Sequence, residues 1–399
     1  MNDFSELPLS IALKSNLTRH GFVQPTAVQA QAIPPALEGR DVLATAQTGT
    51  GKTLAFVLPL LESLLATRRT GIHALILSPT RELAMQIHET FEKMAAGTGF
   101  RAAVVVGGMN EQNQLRAVRG GANVVIATPG RLCDFLDRKL VKLGSTGMLI
   151  LDEADRMLDM GFLPSIRRIL SEIPEARQTL CFSATIEPSV AHLIDAHLKN
   201  PVRIGVDVRS APAPEVDLNV YEVEQDGKLA LLRTILAGEP GSVLIFARTK
   251  HGTDRLAKNL SLLGVKVARI HGGRTQSQRN QALGGFQNGD YRVLVATDVA
   301  ARGIHVDAIA HVINYDLPQV PEDFIHRVGR TGRAGATGVA STFATRSERS
   351  EISRIERTLR VRMERRSVPA PAAADKVVIL PVKPTLYSPN RNRRASGSR

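Results

Sequence analysis

Tryptophan is absent from this 399-residue chain, and aromatic residues make up only 4% of it. So little aromatic surface leaves few platforms for stacking bases, and a polyanion would have to be held chiefly by charge and hydrogen bonds. Cysteine is nearly absent as well. Cys133 and Cys181 stand far apart without ligand spacing, and the ten histidines follow no zinc-binding pattern, which fits buried thiols in a reducing cytoplasm rather than a disulfide framework or a metal site. Long apolar runs are also missing. The stretch Thr53 to Ala66 is too short to span a bilayer and contains Glu62, and the N-terminus lacks a basic and then apolar leader, so no membrane association is expected. Acid is in deficit: 38 Asp and Glu oppose 51 Lys and Arg, giving a net charge of +13 and a pI near 10.2. That balance points to a polyanionic partner, nucleic acid rather than an anionic membrane.

What is present is an alternation of strand-like and helix-like segments that occurs twice. Leu75-Ile76-Leu77, Val104-Val105-Val106, Val124-Val125-Ile126 and Leu149-Ile150-Leu151 read as strands in the first half. Val243 to Phe246, Val265 to Ala268, Val293 to Ala296 and Val312 to Asn314 do so in the second. Short apolar runs separated by helical stretches imply α/β architecture with two doubly wound parallel sheets. Ser210-Ala211-Pro212-Ala213-Pro214 forbids helix and central strand alike and marks a short linker. The expected organisation is an N-terminal domain over 1–208, a linker over 209–216, a C-terminal domain over 217–365 and a basic, disordered tail over 366–399, with the tail composition setting in after about Met363.

Three motifs carry chemistry. Ala46-Gln47-Thr48-Gly49-Thr50-Gly51-Lys52-Thr53 lies between the strand-like Asp41 to Thr45 and the helix-like Leu54 to Leu65. A loop of small residues there lets backbone N–H groups face phosphates at a helix N-terminus, with Lys52 reaching the β/γ-phosphates and the Thr53 hydroxyl offered to Mg²⁺. Asp152-Glu153-Ala154-Asp155 follows a strong strand, so its carboxylates emerge at the same sheet edge: Asp152 to hold Mg²⁺, Glu153 to orient and deprotonate a water. His326-Arg327-Val328-Gly329-Arg330-Thr331-Gly332-Arg333 supplies a pair of arginines from a separate part of the chain. Together these are the parts of a nucleoside triphosphatase.

With these motifs in this order, the chain resembles the DEAD-box RNA helicases of superfamily 2, most like the bacterial RhlE-type branch. The resemblance runs from about Phe4 to Met363. Further matching segments are Gly21 to Gln29, Pro79 to Ala84, Gly107-Gly108, Thr128 to Arg131, Ser183-Ala184-Thr185 and Ala296 to Gly303. It implies two RecA-like domains and ATP, with Mg²⁺, as the nucleotide. Gln29 would read the adenine edge with its amide, and Phe22, or Phe4 upstream, would pack on the ring, while Gly303 would approach the nucleotide from the second domain. Thr80, Arg81, Gly108, Thr128, Arg131 and Thr297 would contact the RNA backbone, although a structural ion pair is an alternative for Arg81 and Arg131. Ser183 and Thr185, with Asp155 and Asp298, would couple nucleotide state to RNA grip, the plainer alternative for the two hydroxyls being a helix N-cap.

Arg330 and Arg333 would reach the γ-phosphoryl group only when the domains close, which makes hydrolysis conditional on closure. The implied activity is ATP-dependent local unwinding of short RNA duplexes or remodelling of RNA–protein complexes by a cytoplasmic monomer, in ribosome precursors or a degradation complex. A DNA translocase and a nucleotide-gated RNA clamp are the rival readings. The chain departs from the family at His305, where an Asp is usual, and at Gly273, where an Asp is frequent.

Overall fold

The computed structural model describes residues 3–46, 50–67, 71–186, 188–205, 216–301, 309–332 and 337–368. Gln47, Thr48, Gly49, Gly303, His305, Arg333, residues 209–215 of the expected linker and the tail from 369 onward lie outside the described residues. The first sheet contains β1 (Val42–Thr45), β2 (Ala74–Leu77), β3 (Ala102–Val105), β4 (Val124–Ala127), β5 (Met148–Leu151), β6 (Gln178–Ser183) and β7 (Val202–Gly205) in the order β3-β4-β2-β5-β6-β1-β7. The second contains β8 (Val216–Glu222), β9 (Val243–Phe246), β10 (Val267–Ile270), β11 (Val293–Ala296), β12 (His311–Asn314), β13 (Gly338–Ala344) and β14 (Glu364–Arg366) in the order β10-β11-β9-β12-β13-β8-β14. Every strand pairing is parallel. Adding seven to each strand of the first order gives the second, so the chain builds one topology twice.

The central strands are short apolar runs because helices cover both faces and neither side chain of a pair reaches water. In β2, β4 and β5 all four residues are buried. The two-residue period of the strand divides them between two cores. Ala44, Ile76, Ile126, Ile150 and Phe182 face one side, where Phe56 and Leu13 pack. Leu43, Leu75, Val125, Leu149 and Cys181 face the other. Cys181 is fully buried, with its thiol pushed up to about 12 by that burial, and Cys133 is half-buried with Sγ toward the Ser165 carbonyl.

Four expectations need correction. Val106 lies outside β3, its amide donating to Gln114 Oε1 at 2.9 Å rather than to a neighbouring strand. Val265 and Lys266 do not belong to β10. The Val265 amide donates to the Leu260 carbonyl and Gly264 adopts φ +79, so Val265 closes the preceding helix and the strand starts at Val267. Val216, placed in the linker, is the first residue of β8. The second domain also runs past Met363, which is buried, into β14. That strand's last residue, Arg366, had been assigned to the tail; β14 pairs with β8, and Arg366 Nε donates to Asn219 Oδ1 at 3.1 Å.

Candidate functional site

Both sheets present their functional loops at the carboxyl ends of the strands, as open α/β sheets do. Sheet order sorts these loops. The phosphate loop follows β1, the acidic motif follows β5 and Ser183 ends β6, and these three strands are neighbours. Thr80 follows β2, Gly108 follows β3 and Thr128 follows β4, the adjoining set. One edge of the sheet therefore carries the nucleotide candidates and the other the RNA candidates.

At the nucleotide end, the helix Lys52–Thr67 begins at the lysine expected to reach the phosphates. Lys52 is nearly buried, and its Nζ donates to the Ala46 carbonyl at 2.9 Å. Gly51 adopts φ +84, and a Cβ there would stand 2.4 Å from Gln29 Nε2. Gln29 is buried: Oε1 accepts from the Thr26 amide at 2.8 Å and Nε2 donates to the Gly51 carbonyl at 2.9 Å. One lone pair and one N–H of its amide are left over, the complement an adenine edge requires. The Thr26 hydroxyl donates to the Thr50 carbonyl at 2.7 Å, so the segment around Gln29 also braces the phosphate loop. Phe22 is half-buried against the core, while Phe4 is 3% exposed and belongs to it.

Asp152 and Glu153 are buried side by side but differ in electrostatics. Burial pushes the Asp152 carboxyl up, against the opposing charge of Lys52. Burial acts likewise on Glu153, but Arg156, Lys52 and Arg330 outweigh it and hold the group below the usual carboxylate range. Arg156 Nη1 lies 2.8 Å from Glu153 Oε2. Glu153 sits at φ 52 in the left-handed region, a conformation costing on the order of 1 kcal/mol for a side-chain-bearing residue.

Asp155 ties this end to β6. Its Oδ2 accepts from the amides of Ala184 and Thr185 at 2.9 and 2.8 Å and from Thr185 Oγ1 at 3.1 Å. Ser183 Oγ accepts from the Asp155 amide at 3.2 Å and donates to the Thr185 carbonyl at 2.7 Å. The hydroxyls of Ser183 and Thr185 therefore bond to or beside Asp155, and Ser183 Oγ takes up a first-turn amide of the helix Ala154–Asp159.

Among the RNA candidates, Thr80 caps the helix Arg81–Ala95 through the Leu83 amide. Arg81 Nη1 donates to the Gly107 carbonyl at 2.9 Å, and Gly108 adopts φ +77, with no room for a Cβ beside Arg81. Thr128 stands at the start of the helix Pro129–Asp137 without its hydroxyl capping it. Arg131 is ion-paired, with Nη1 3.0 Å from Asp134 and 3.3 Å from Glu111. Two carboxylates thus offset the charge expected to face RNA. Thr297 is buried at the end of β11.

The two domains touch. Arg279 Nη2 lies 2.8 Å from Glu82 Oε1, and Gln276 Nε2 donates to the same oxygen at 3.3 Å. A second contact forms a small cleft lined by Arg156 of the first domain and by Asp298, Asp323, His326, Arg327 and Arg330 of the second. Arg330 is buried, its Nε donates to the His326 carbonyl at 3.1 Å, and its charge acts on Glu153. Burial first, then Arg156, pulls the His326 pKa down. Arg327 Nη2 lies 2.7 Å from Asp298 Oδ2, and its Nη1 donates to the Asp316 carbonyl and to Asn314 Oδ1.

Sequence reasoning placed Asp298 in a coupling role but assigned none to Arg327, Arg156, Glu82, Gln276 or Arg279. The signal for the last pair was present: Thr275 heads a capping box, so Gln276 and Arg279, three apart, share one helix face.

A DEAD/DEAH box helicase family model matches residues 26–193, and a helicase conserved C-terminal domain model matches residues 227–335. A DEAD box protein of Methanococcus jannaschii is 36% identical over 92% of this chain and 99% of that one, with a TM-score of 0.54. The chain belongs to the DEAD-box helicase family. The DEAD-box ATP-dependent RNA helicase CshA of Streptococcus pneumoniae is 42% identical over 327 residues, 82% of this chain. The chain spans 62% of the length of that curated relative.

Saccharomyces cerevisiae Dbp5 bound to RNA and ADP BeF3 is 30% identical, covers 92% of this chain and 96% of its own, and gives a TM-score of 0.83. At equal coverage, the archaeal chain with the higher identity superposes less well.

Proposed function

We propose that this chain is an RNA-stimulated ATPase that locally unwinds short RNA duplexes, or remodels RNA–protein complexes, by closing two domains on ATP and RNA together. The observation that carries the proposal is the position of Arg330: its charge is supplied by the second domain and acts on Glu153 of the first. Opening the domains would remove that charge, so hydrolysis is tied to closure. Glu153 orients the attacking water and takes its proton. Lys52, Gly51 and the amides at the start of the helix Lys52–Thr67 hold the phosphates of the ATP substrate, with Gln29 and Phe22 at the adenine.

Asp152 fits a divalent cation. Its Oδ1 is buried without a hydrogen-bond partner and its carboxyl is crowded by other acids, an arrangement that Mg²⁺, held with Thr53, would satisfy. Bound there, Mg²⁺ would neutralise phosphate charge. At the adjoining strands of the first sheet, Thr80, Arg81, Gly108 and Thr128, with Thr297 after β11 of the second, hold the RNA backbone without reading bases, and Arg131 contributes through whatever charge its two carboxylates leave.

The matched relatives are named CshA, which gives the RhlE-type branch no support, and the proposal is confined to the family. It extends to a monomer acting in the cytoplasm on ribosome precursors or a degradation complex. Among the described residues, no helix is long and apolar enough to cross a membrane. The test is RNA-stimulated ATP turnover and strand displacement by the purified chain, alongside Glu153→Gln. The substitution should abolish turnover and slow RNA release in ATP. Stimulation by DNA equal to that by RNA, or unchanged release from Glu153→Gln, would overturn the proposal.

A further inference from the structure

The segment 346–366 holds eight arginines against four glutamates. It forms the helix Arg349–Leu359, a tight turn, and β14 on the outer edge of the second sheet. The glutamates do not neutralise it evenly. Glu356 is engaged by both terminal nitrogens of Arg365, at 2.9 and 2.8 Å, and Glu364 by Arg366 at 2.8 Å. Glu222, from β8, takes Arg349 and Arg346. Arg354, Arg357, Arg360 and Arg362 are exposed, and none is ion-paired among the described residues. Arg357 and Arg362 line a groove between this helix and the start of β8, with Ser353 and Asp217 beside them.

Arg360 supplies an independent observation. It ends the helix at φ 53, ψ 37, and its amide donates to the Glu356 carbonyl. That left-handed position is the one where glycine is favoured and a side chain is strained. A guanidinium occupies it at a cost to stability.

We propose that this arginine ridge is a second RNA-backbone site, engaging phosphates that flank the segment held between the domains. Strand order separates the two. Thr297 and Arg279 belong to the β10–β11 edge, and β14 is the opposite edge, five strand intervals from β11, or roughly 24 Å at about 4.8 Å each. An RNA confined to the inter-domain path does not reach the ridge; one that continues past the second domain does. Guanidiniums outside salt bridges suit phosphates and carry no base information, although the charge of Arg362 also acts on Glu356, which lines the same groove. The proposal rests on the RNA-dependent activity proposed above and adds a length requirement to it.

The test uses the full chain and two RNAs: a single strand of about six nucleotides, and the same strand joined to a hairpin. In Arg357→Glu/Arg362→Glu, the concentration of hairpin-bearing RNA giving half-maximal ATPase should rise about tenfold. Its salt slope should become shallower by about 1.4, at about 0.7 per lost contact. Stimulation by the short strand should be unchanged, and Arg357→Lys/Arg362→Lys should retain most of the affinity.

Arg360→Gly separates charge from folding: its melting temperature should rise while affinity for the hairpin-bearing RNA falls. Equal losses on both RNAs, no loss on either, or a more stable Arg360→Gly with undiminished affinity would overturn the ridge. Failure of the unsubstituted chain to respond to the short strand would overturn the RNA-dependent activity instead.

Discussion

Glu82 and Arg279 join the domains across 197 residues of sequence, and both side chains are nearly buried. Once the domains part, each group returns to water, so its removal is felt in the closed state and hardly in the open one. Truncating one partner of a buried, hydrogen-bonded ion pair costs about 2–5 kcal/mol. With the 2.8 Å contact kept in part by Gln276, the lower half of that range applies. About 2–3 kcal/mol corresponds to a roughly 30- to 160-fold smaller closure constant.

The two substitutions should not be equivalent. The Arg81 charge also acts on Arg279, and Glu82→Gln removes the carboxylate that offsets this repulsion. Glu82→Gln should therefore weaken RNA binding in ADP-BeF3 more than Arg279→Ala does. Without nucleotide, where the domains need not close, both should bind RNA nearly as the parent chain does. Fluorescence anisotropy of labelled RNA in the two conditions, with the double variant to complete a thermodynamic cycle, measures this. Strictly additive effects, or equal losses with and without nucleotide, would show that the pair does not report closure.

Lys52→Ala should abolish ATP turnover while leaving the melting temperature within a few degrees, as phosphate-release and thermal assays would read. Gly51→Ala places a methyl 2.4 Å from Gln29 Nε2 at a positive φ, and should raise the ATP concentration needed for half-maximal turnover by at least tenfold, about 1.4 kcal/mol. His311 is buried, with Nε2 2.8 Å from Ser341 Oγ and Nδ1 3.5 Å from Glu239, and burial lowers its pKa. The folded state therefore refuses a proton that the unfolded state accepts below about pH 6.5. Stability should be fully present above that pH and fall as pH drops toward the folded-state pKa, with a slope of at most about 1.4 kcal/mol per pH unit. His311→Asn should be less stable at pH 8 yet show a flatter decline in urea titrations between pH 7 and 5.

The loop after β1 and the acids after β5 could be read from residue type because their chemistry is local: small residues and a lysine at a helix start, carboxylates at a strand end. The two sheets were legible for the same reason, since each central strand is an apolar run bounded by helices. What escaped depends on contacts distant in sequence. Nothing in Glu364-Arg365-Arg366 advertises a strand; β14 exists because Met363 is buried before it and Asn219 receives Arg366. The carboxylates offsetting Arg131 come partly from Glu111, twenty residues earlier. Glu82 looked like an ordinary first-turn acid of a helix, and only the second domain's position gives it a partner.

The doubled topology has one further consequence. Lys228 starts the helix after β8 as Lys52 starts the one after β1, and Asp316 follows β12 as Asp152 follows β5. In the second copy the lysine is taken up by the Tyr315 carbonyl at 3.0 Å, with Asp316 and Glu348 close by. The charge of this lysine is offset by the protein's own carboxylates. The chain is thus a covalent pair of unequal twins in contact, the first carrying the proposed nucleotide site and the second bringing Arg330 to it. Were both cradles open, each twin could accept the arginines of a further molecule and the contact would propagate into rings or filaments. A lysine already neutralised in one twin would end the series at two, and the tether makes their meeting an event within a single molecule, independent of concentration.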